Sequence, residues 1–298
     1  LFRSRYMLSP VSGNVVLAWG RAGDFPDYDD RVFRSADGGL TWSDLGEIMP
    51  AGVNDFVVVD PSTIVASDLE GNMYLSEDSG LNWSQTYVSP GQQVGYLSNS
   101  VPVFADSQTG YFGYGYGFII KTTDGGQSWN QISSGSGNSL NDVVRFANGN
   151  MIAAGENGTI LHNNGNSTWL LSQQLTQSHL KAIQLIDQNN LAMVAETGQV
   201  YLSNNSGNTW TASSGLPADL SSAEDVHFTS STQGWVTGSS YNVSALYRTT
   251  DGGNTWLPVP EILGAYTAVD VVGSSVWAAN VSGLFYISTD NGTNWVQG

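Results

Sequence analysis

A chain of 298 residues with 40% hydrophobic residues and ten Trp, thirteen Tyr and ten Phe can bury a large core, which excludes a disordered chain. The net charge of −17 argues against a nucleic-acid partner, because affinity for phosphate backbones comes mainly from Lys and Arg. There is no cysteine for disulfides or thiolate chemistry, and no segment approaches 18 apolar residues, so no membrane insertion is predicted.

The first elements in the chain are predicted strands at residues 5–9, 15–20 and 31–35, with a long acidic loop over 21–30. The pattern is most regular near residue 200, where strands are predicted at 180–186, 190–195, 199–203 and 209–212. The last strand is predicted at 293–297. These runs are short, apolar or alternating, and bounded by Gly, Asn and Asp, as strands joined by tight turns are. No stretch shows a sustained helical period.

A turn motif of the form Ser/Thr-x-Asp-x-Gly-x-x-Trp punctuates these strands. An Asp side chain can accept backbone N–H groups within its own turn, Gly permits a positive φ, and Trp can bury its ring between adjacent sheets. We therefore expect the motif to be structural. Its seven copies, one of them degenerate, end at Trp42, Trp83, Trp129, Trp169, Trp210, Trp256 and Trp295.

The spacing of the motif predicts an all-β fold, a seven-bladed β-propeller of four-stranded antiparallel blades, because propeller blades recur every 40–50 residues or so. The motif falls between the third and fourth strands of each blade. No linker or change of composition divides the chain, which predicts a single domain. The predicted blades are approximately 1–48, 49–89, 90–135, 136–174, 175–215, 216–261 and 262–298.

The motif resembles the Asp-box, or BNR repeat, of sialidases and related propellers. Residues 109–129 and 234–256, with Gly234-Trp235-Val236-Thr237-Gly238 and the turns that end at Trp129 and Trp256, are similar to repeats of the photosystem II stability/assembly factor family. That resemblance implies a seven-bladed, non-enzymatic propeller that acts as an assembly or interaction platform. Plant and cyanobacterial members present a basic, Arg-rich surface, whereas this chain has 26 acidic and nine basic residues.

Candidate binding residues belong to the face opposite the motif, where the turns between second and third strands meet the connections between blades. Ligands of propellers usually bind on this open face. Its residues predict an acidic surface dotted with aromatics that suits a cationic or polyhydroxy ligand; the alternative is a hydrated surface whose polar residues cap turns. The candidates are Asp55, Asp142, Asp225, Glu156, Glu196, Tyr114, Tyr116 and Tyr241.

One loop concentrates hard oxygen ligands and is the candidate metal site: Asp24, Asp27, Asp29 and Asp30. Its spacing matches no dedicated calcium motif, so no cofactor is predicted, and Ca²⁺ is the one ion that this loop would suit. The three His residues show no zinc-ligand spacing.

The function predicted from these features is a non-enzymatic binding or assembly platform that contacts another protein through the open face. The alternative is a carbohydrate-binding protein or an Asp-box glycoside hydrolase, which would need two carboxylates about 5–9.5 Å apart. The predicted partner is a protein or a glycan, and the chain is expected to be a monomer. Low Lys, absent Cys and abundant Ser, Asn and Thr predict a secreted, periplasmic or cell-surface protein.

Overall fold

A computed structural model of the chain describes residues 7–12, 14–22, 29–37, 40–90, 102–113, 117–164, 168–214, 216, 220–239, 246–259, 266–272, 275–280 and 285–297. It contains seven four-stranded sheets, each built from four consecutive antiparallel strands. The predicted all-β, seven-bladed propeller is confirmed. None of the helical segments in the described part of the chain has the length and apolar character needed to cross a bilayer.

The first three blades are formed by the following strands, given from the first to the fourth strand of each blade: β1 (Met7–Ser12), β2 (Val15–Ala22), β3 (Asp29–Ser35) and β4 (Ser43–Gly46); β5 (Val53–Val58), β6 (Ile64–Asp68), β7 (Met73–Ser76) and β8 (Ser84–Tyr87); β9 (Val103–Phe104), β10 (Gly110–Gly113), β11 (Phe118–Thr122) and β12 (Asn130–Ser133).

The last four blades follow in the same order: β13 (Leu140–Arg145), β14 (Met151–Gly155), β15 (Thr159–Asn163) and β16 (Trp169–Gln174); β17 (Leu180–Leu185), β18 (Leu191–Ala195), β19 (Val200–Ser203) and β20 (Thr211–Ala212); β21 (Ser222–Phe228), β22 (Gly234–Ser239), β23 (Leu246–Thr249) and β24 (Leu257–Pro258); β25 (Tyr266–Val272), β26 (Ser275–Asn280), β27 (Phe285–Ser288) and β28 (Val296–Gln297). A 3-10 turn, Glu156–Gly158, joins β14 to β15.

The first blade departs from the sequence prediction between its second and third strands. The pairing of β2 with β3 continues through Arg21 opposite Asp30 and Ala22 opposite Asp29. The predicted loop over 21–30 is therefore wrong at both of its ends. Backbone ladders depend on main-chain groups, so a hairpin can extend into polar residues that carry no strand-like side-chain pattern.

The repeated turn is closed by its own polar side chains, as the copy in the sixth blade shows. The hydroxyl of Thr249 donates to Asp251 (2.9 Å) and accepts the N–H of Gly253 (2.8 Å). The same carboxylate accepts the N–H of Thr255 (2.8 Å) and its hydroxyl (2.6 Å). In the first copy, such bonds from Thr41 and then Ser35 lower the pKa of Asp37 to about 2. The carboxylate is thus the hydrogen-bonding centre of the turn.

A second set of turns, between the first and second strands, supports the repeated turn from the same edge of each blade. The carboxylate of Asp187 accepts the N–H groups of Asn189 (2.8 Å) and Asn190 (3.0 Å). The carbonyl of Asn189 then accepts the N–H of Ser206 in the repeated turn (2.9 Å). The two turns therefore hold each other in place.

The tryptophan of the turn packs against the blade that precedes it. Each of the six described clusters of apolar residues lies between two consecutive blades and contains the motif tryptophan of the later blade. Trp83 also stacks on Phe56 of its own blade, with ring centroids 5.2 Å apart, and Trp256 meets Phe228 edge to face at 5.8 Å. The core of the protein is thus a series of inter-blade layers.

The glycine of the motif is required by the same packing. Gly207 has φ +78°, and a Cβ added there would lie 2.2 Å from Cδ1 of Ile152 in the preceding blade. A side chain at this position would therefore strain the turn and push two blades apart.

Gly207→Ala is expected to lower the free energy of unfolding by about 2–4 kcal/mol, because it adds overpacking to a left-handed backbone. Gly46→Ala is the matched control: Gly46 has φ +83°, but an added Cβ would meet nothing within 4 Å. It should cost only about 1–2 kcal/mol. Chemical denaturation measures both variants, and equal losses would contradict the packing role.

Asp251→Ala is expected to lower the urea concentration at the midpoint of unfolding, because the turn loses its acceptor. Asp251→Asn should lower it much less. In the fifth blade Asn205 occupies the same position, accepts the N–H of Thr209 (2.9 Å) and donates to its hydroxyl (2.8 Å). Urea unfolding of the two variants tests this, and an Asn variant as unstable as the Ala variant would contradict it.

Candidate functional site

The candidate carboxylates Asp55, Asp142 and Asp225 lie on the innermost strands of three blades, next to a β-bulge. The register of each strand shifts immediately before the aspartate. The side chain then accepts the N–H of the next residue, at 2.7 Å for Asp55, 2.7 Å for Asp142 and 2.8 Å for Asp225. Each carboxylate thus supplies an acceptor where the bulge disrupts the ladder.

Two of these carboxylates also link neighbouring blades. The second oxygen of Asp142 accepts the N–H of Ile183 on β17 (2.9 Å), and that of Asp225 accepts the N–H of Val269 on β25 (3.3 Å). Both residues therefore tie one innermost strand to the next. The sequence predicts them as ligand-binding residues, and these contacts give them a structural role as well.

Amide side chains make the same kind of link, which the sequence alone does not reveal. Asn141 donates its Nδ2 to the carbonyl of Leu180 in the next blade (2.7 Å). Gln184 donates its Nε2 to the carbonyl of Phe228 (3.1 Å) and accepts the N–H of the same residue. An amide can serve as donor and acceptor at once, so it can pair with both main-chain groups of one residue.

The environment of Asp142 shifts the protonation of its carboxyl group strongly. Burial raises its pKa to about 8, although the N–H groups of Ile183 and Val143 oppose the shift, and the carboxylates of Asp225 and Asp55 raise it further. The group therefore holds a proton at neutral pH.

The open face is the side formed by the turns between second and third strands and by the connections between blades. Its turns are tied to the connections by main-chain bonds: Leu69 N–H to the carbonyl of Gly52 (3.0 Å), Glu156 to Ser139 (2.9 Å) and Glu196 to His179 (2.8 Å). This face consequently presents its acidic side chains from a fixed backbone.

Among the described residues, the carboxylates of the open face have few charged partners. Glu156 accepts the N–H of Ser139 (3.2 Å), and Glu196 lies 3.8 Å from Nε2 of His179 with 49% of its side chain exposed. On the innermost strands, Glu224 lies 3.9 Å from Nζ of Lys181. These contacts leave the acidic groups accessible.

The opposite side, the box face, is formed by the repeated turns and by the turns between first and second strands. Its aspartates accept hydrogen bonds from their own turns, and the pKa of each is lowered. They are Asp37, Asp60, Asp78, Asp106, Asp124, Asp187, Asp251 and Asp290. The acceptor oxygens of these aspartates are therefore used within the fold.

Five of the candidates lie outside the described residues: Tyr114, Tyr116, Tyr241, Asp24 and Asp27. Asp29 and Asp30 lie in β3 rather than in the predicted loop. Within the described ranges, no three His, Asp or Glu side chains come together in a group that could hold a metal ion. Calcium binding by the acidic loop stays a prediction.

Asp142→Asn is expected to flatten the pH dependence of stability between about pH 4 and pH 8. Because the folded pKa of Asp142 is about 8 against 3.8 for the ordinary group, the folded state binds more protons across this window. Its contribution to stability is full at low pH and is lost as pH rises. Thermal unfolding should therefore show that the Tm of the unsubstituted protein falls relative to that of the variant as pH rises from 4 to 8.

Asp187→Asn is the matched control for this experiment. The pKa of Asp187 is lowered by its turn hydrogen bonds, so it does not change charge between pH 4 and pH 8. Its variant should keep the slope of the unsubstituted protein. A slope that survives in Asp142→Asn would contradict the assignment of the proton to Asp142.

Comparison with known proteins finds a partial match to one family model, one similar relative and two similar structures. The family model "Photosynthesis system II assembly factor YCF48" matches residues 92–218, less than half of the chain. The "Photosystem II assembly lipoprotein Ycf48" of Synechococcus sp. (strain CC9902) is 25% identical over 195 residues, which cover 60% of this chain. The matched part spans only 55% of that relative.

The solved structures agree on the fold. "YCF48 bound to D1 peptide" is 17% identical with a TM-score of 0.70 and covers 95% of this chain and 93% of its own. "YCF48 from Cyanidioschyzon merolae" is 19% identical with a TM-score of 0.67 and covers 93% and 92% of the two chains. The chain is thus a seven-bladed propeller whose repeats are similar to those of the photosystem II assembly factor family over part of its length.

Proposed function

We propose that this chain is a non-enzymatic platform that holds a segment of a client protein on its open face. The observation that carries the proposal is the unequal use of carboxylates on the two faces. Aspartates of the box face accept hydrogen bonds within their own turns, whereas Glu196 and Glu70 on the open face remain exposed. The open face is therefore a side whose carboxylates can form new hydrogen bonds and ion pairs with a partner.

The chemistry of that face favours a basic, extended client. Acidic groups held on a fixed backbone attract positively charged segments and orient them at little entropic cost. The solved structure "YCF48 bound to D1 peptide" has the same fold, so this architecture supports peptide binding in that protein. The net charge of −17 in the present chain argues for a client of opposite sign.

The name of one relative bears on where in the cell the protein works. The Synechococcus relative is named a lipoprotein, which supports work at a membrane surface outside the cytoplasm. We propose a secreted, periplasmic or cell-surface location for this chain.

The contacts of the inner aspartates give no support to a glycoside hydrolase. A glycosidase needs two carboxyl groups free to reach the substrate, one as acid and one as base or nucleophile. Both oxygens of Asp142 and both of Asp225 already accept backbone N–H groups. A high pKa at Asp142 therefore accompanies a link between blades rather than an accessible acid.

The proposal is tested with an array of basic, neutral and acidic 12-residue peptides, read by fluorescence anisotropy at low and high salt. Basic peptides are expected to bind, and their affinity should fall as salt screens the carboxylates. Combined Glu156→Gln and Glu196→Gln substitutions should weaken binding by roughly threefold to tenfold. Glutamine keeps an acceptor for the N–H of Ser139, so the fold is preserved.

Glu77→Gln provides the control, because Glu77 is exposed on the box face within a repeated turn. It removes one negative charge from the other side of the molecule and should leave peptide affinity unchanged. Equal binding of basic and acidic peptides, or equal weakening by Glu77→Gln, would overturn the proposal.

A further inference from the structure

A pocket of about 410 Å³ opens between the first and second blades. Pro50, on the connection between the blades, forms one side of it, and Asp68 and Glu70, on the turn that follows β6, form another. These elements belong to the open face. Tyr74, Trp83 and Gln85 complete the walls. Its volume lies within the range of about 300–1,000 Å³ that is typical of ligand sites.

The aromatic wall of this pocket is rigid. Tyr74 is only 6% exposed, and its hydroxyl donates to the carboxylate of Asp68 (3.2 Å). Trp83 is fixed by stacking on Phe56 and by donating its indole N–H to the carbonyl of Gly80 (3.0 Å). The wall therefore needs no rearrangement before it contacts a ligand.

Negative charge gathers at the same place. Asp68 is fully buried and accepts four hydrogen bonds, all from neutral donors: the N–H of Glu70 (2.9 Å), the N–H and Nδ2 of Asn72 (2.8 and 2.7 Å) and the hydroxyl of Tyr74 (3.2 Å). These bonds satisfy the oxygens without neutralising the charge. Glu70 is exposed at the rim and adds a second carboxylate.

A third carboxylate, that of Asp30 in the first blade, lies beside the connection that forms one side of the pocket. A Cβ added to Gly52 on this connection would be 2.0 Å from Oδ2 of Asp30. The pocket thus combines fixed aromatic rings with nearby carboxylates.

We propose that this pocket receives one cationic side chain, lysine or arginine, of the client segment. The inference rests on the proposed function and names the subsite that would select its ligand. An alkyl cation can place its apolar stem against Tyr74 and Trp83, gain cation–π attraction from the rings and reach Glu70 with its charged end. The exposed Leu69, between Asp68 and Glu70, offers apolar contact to a neighbouring client residue.

The same walls disfavour other ligands. An apolar ligand would cover the carboxylate of Glu70 and the amide of Gln85 without bonding to either, and an anion would be repelled by Asp68 and Glu70. The oxygens of Asp68 already accept hydrogen bonds, and within the described ranges no group of metal-ligating side chains includes this pocket. A cation carried on an apolar stem fits all the groups present.

The experiment uses the whole chain and four small probes: the N-acetyl, N-methylamide derivatives of arginine, lysine, citrulline and norleucine. Binding is followed by the ¹H–¹⁵N signal of the Trp83 indole, which Trp83→Phe assigns by removing it. The arginine or lysine probe is expected to shift this signal, and the neutral citrulline and norleucine probes are not. Glu70→Gln should weaken binding of the cationic probe by up to about fivefold.

Glu77→Gln is the control, since Glu77 is exposed on the box face of the same blade and lies outside the pocket. It should leave the affinity for the probe unchanged. Equal shifts with citrulline, no shift with either cation, or equal weakening by Glu70→Gln and Glu77→Gln would overturn the inference. If the probe experiment fails in one of these ways but basic peptides still bind in the anisotropy assay, only the pocket assignment has failed. If the probe binds but basic peptides do not, the proposed function has failed.

Discussion

The structure depends on one contact: the tryptophan of six described turns packs against the preceding blade, and so does the glycine of five of them. Gly207 approaches Ile152 too closely for any side chain, and Trp210 joins the apolar layer of the same boundary. The turn can hold this position because its own Asn or Asp accepts the N–H of a residue four positions on and bonds to its hydroxyl. A hydrogen-bonded turn and an apolar layer therefore stabilise the same boundary, and repetition of that unit builds the ring of blades.

This arrangement also decides what the acidic groups can do. A carboxylate that closes a turn, such as Asp251, has its oxygens engaged and is most stable in the ionised form. Asp142 differs from Asp251 in its preferred charge state, because burial beside Asp225 and Asp55 favours its protonated form. Neither a carboxylate that closes a turn nor a buried carboxyl group is suited to binding a partner protein. Exposed glutamates of the open face can change their contacts without weakening the fold.

The sequence predicts the features that repeat and misses those that depend on a neighbouring blade. The blade number and the position of the turn follow from local spacing, since Asp, Gly and Trp act within eight residues or so of each other. The link from Asp142 to Ile183, and that from Gln184 to Phe228, join residues about 40 positions apart through the innermost strands. A carboxylate in a strand can accept an N–H at a bulge, bind a ligand or link two blades. Only the packing of the blades distinguishes these roles. The pocket beside Tyr74 has the same origin, because two blades form it.

Equivalent positions in different blades carry different side chains, and this difference can orient a bound segment. The bulge near the start of the innermost strand holds Asn54, Asn141, Lys181, Glu224 and Thr267 in the second, fourth, fifth, sixth and seventh blades. Lys181 and Glu224 form an ion pair 3.9 Å long between two blades, and no other pair of these positions has that chemistry in the sequence. A ligand that bound every blade alike would need the same side chain at each equivalent position. An extended client instead meets different groups along its length, so an open face that does not repeat suits a single oriented segment better than several copies of a small ligand.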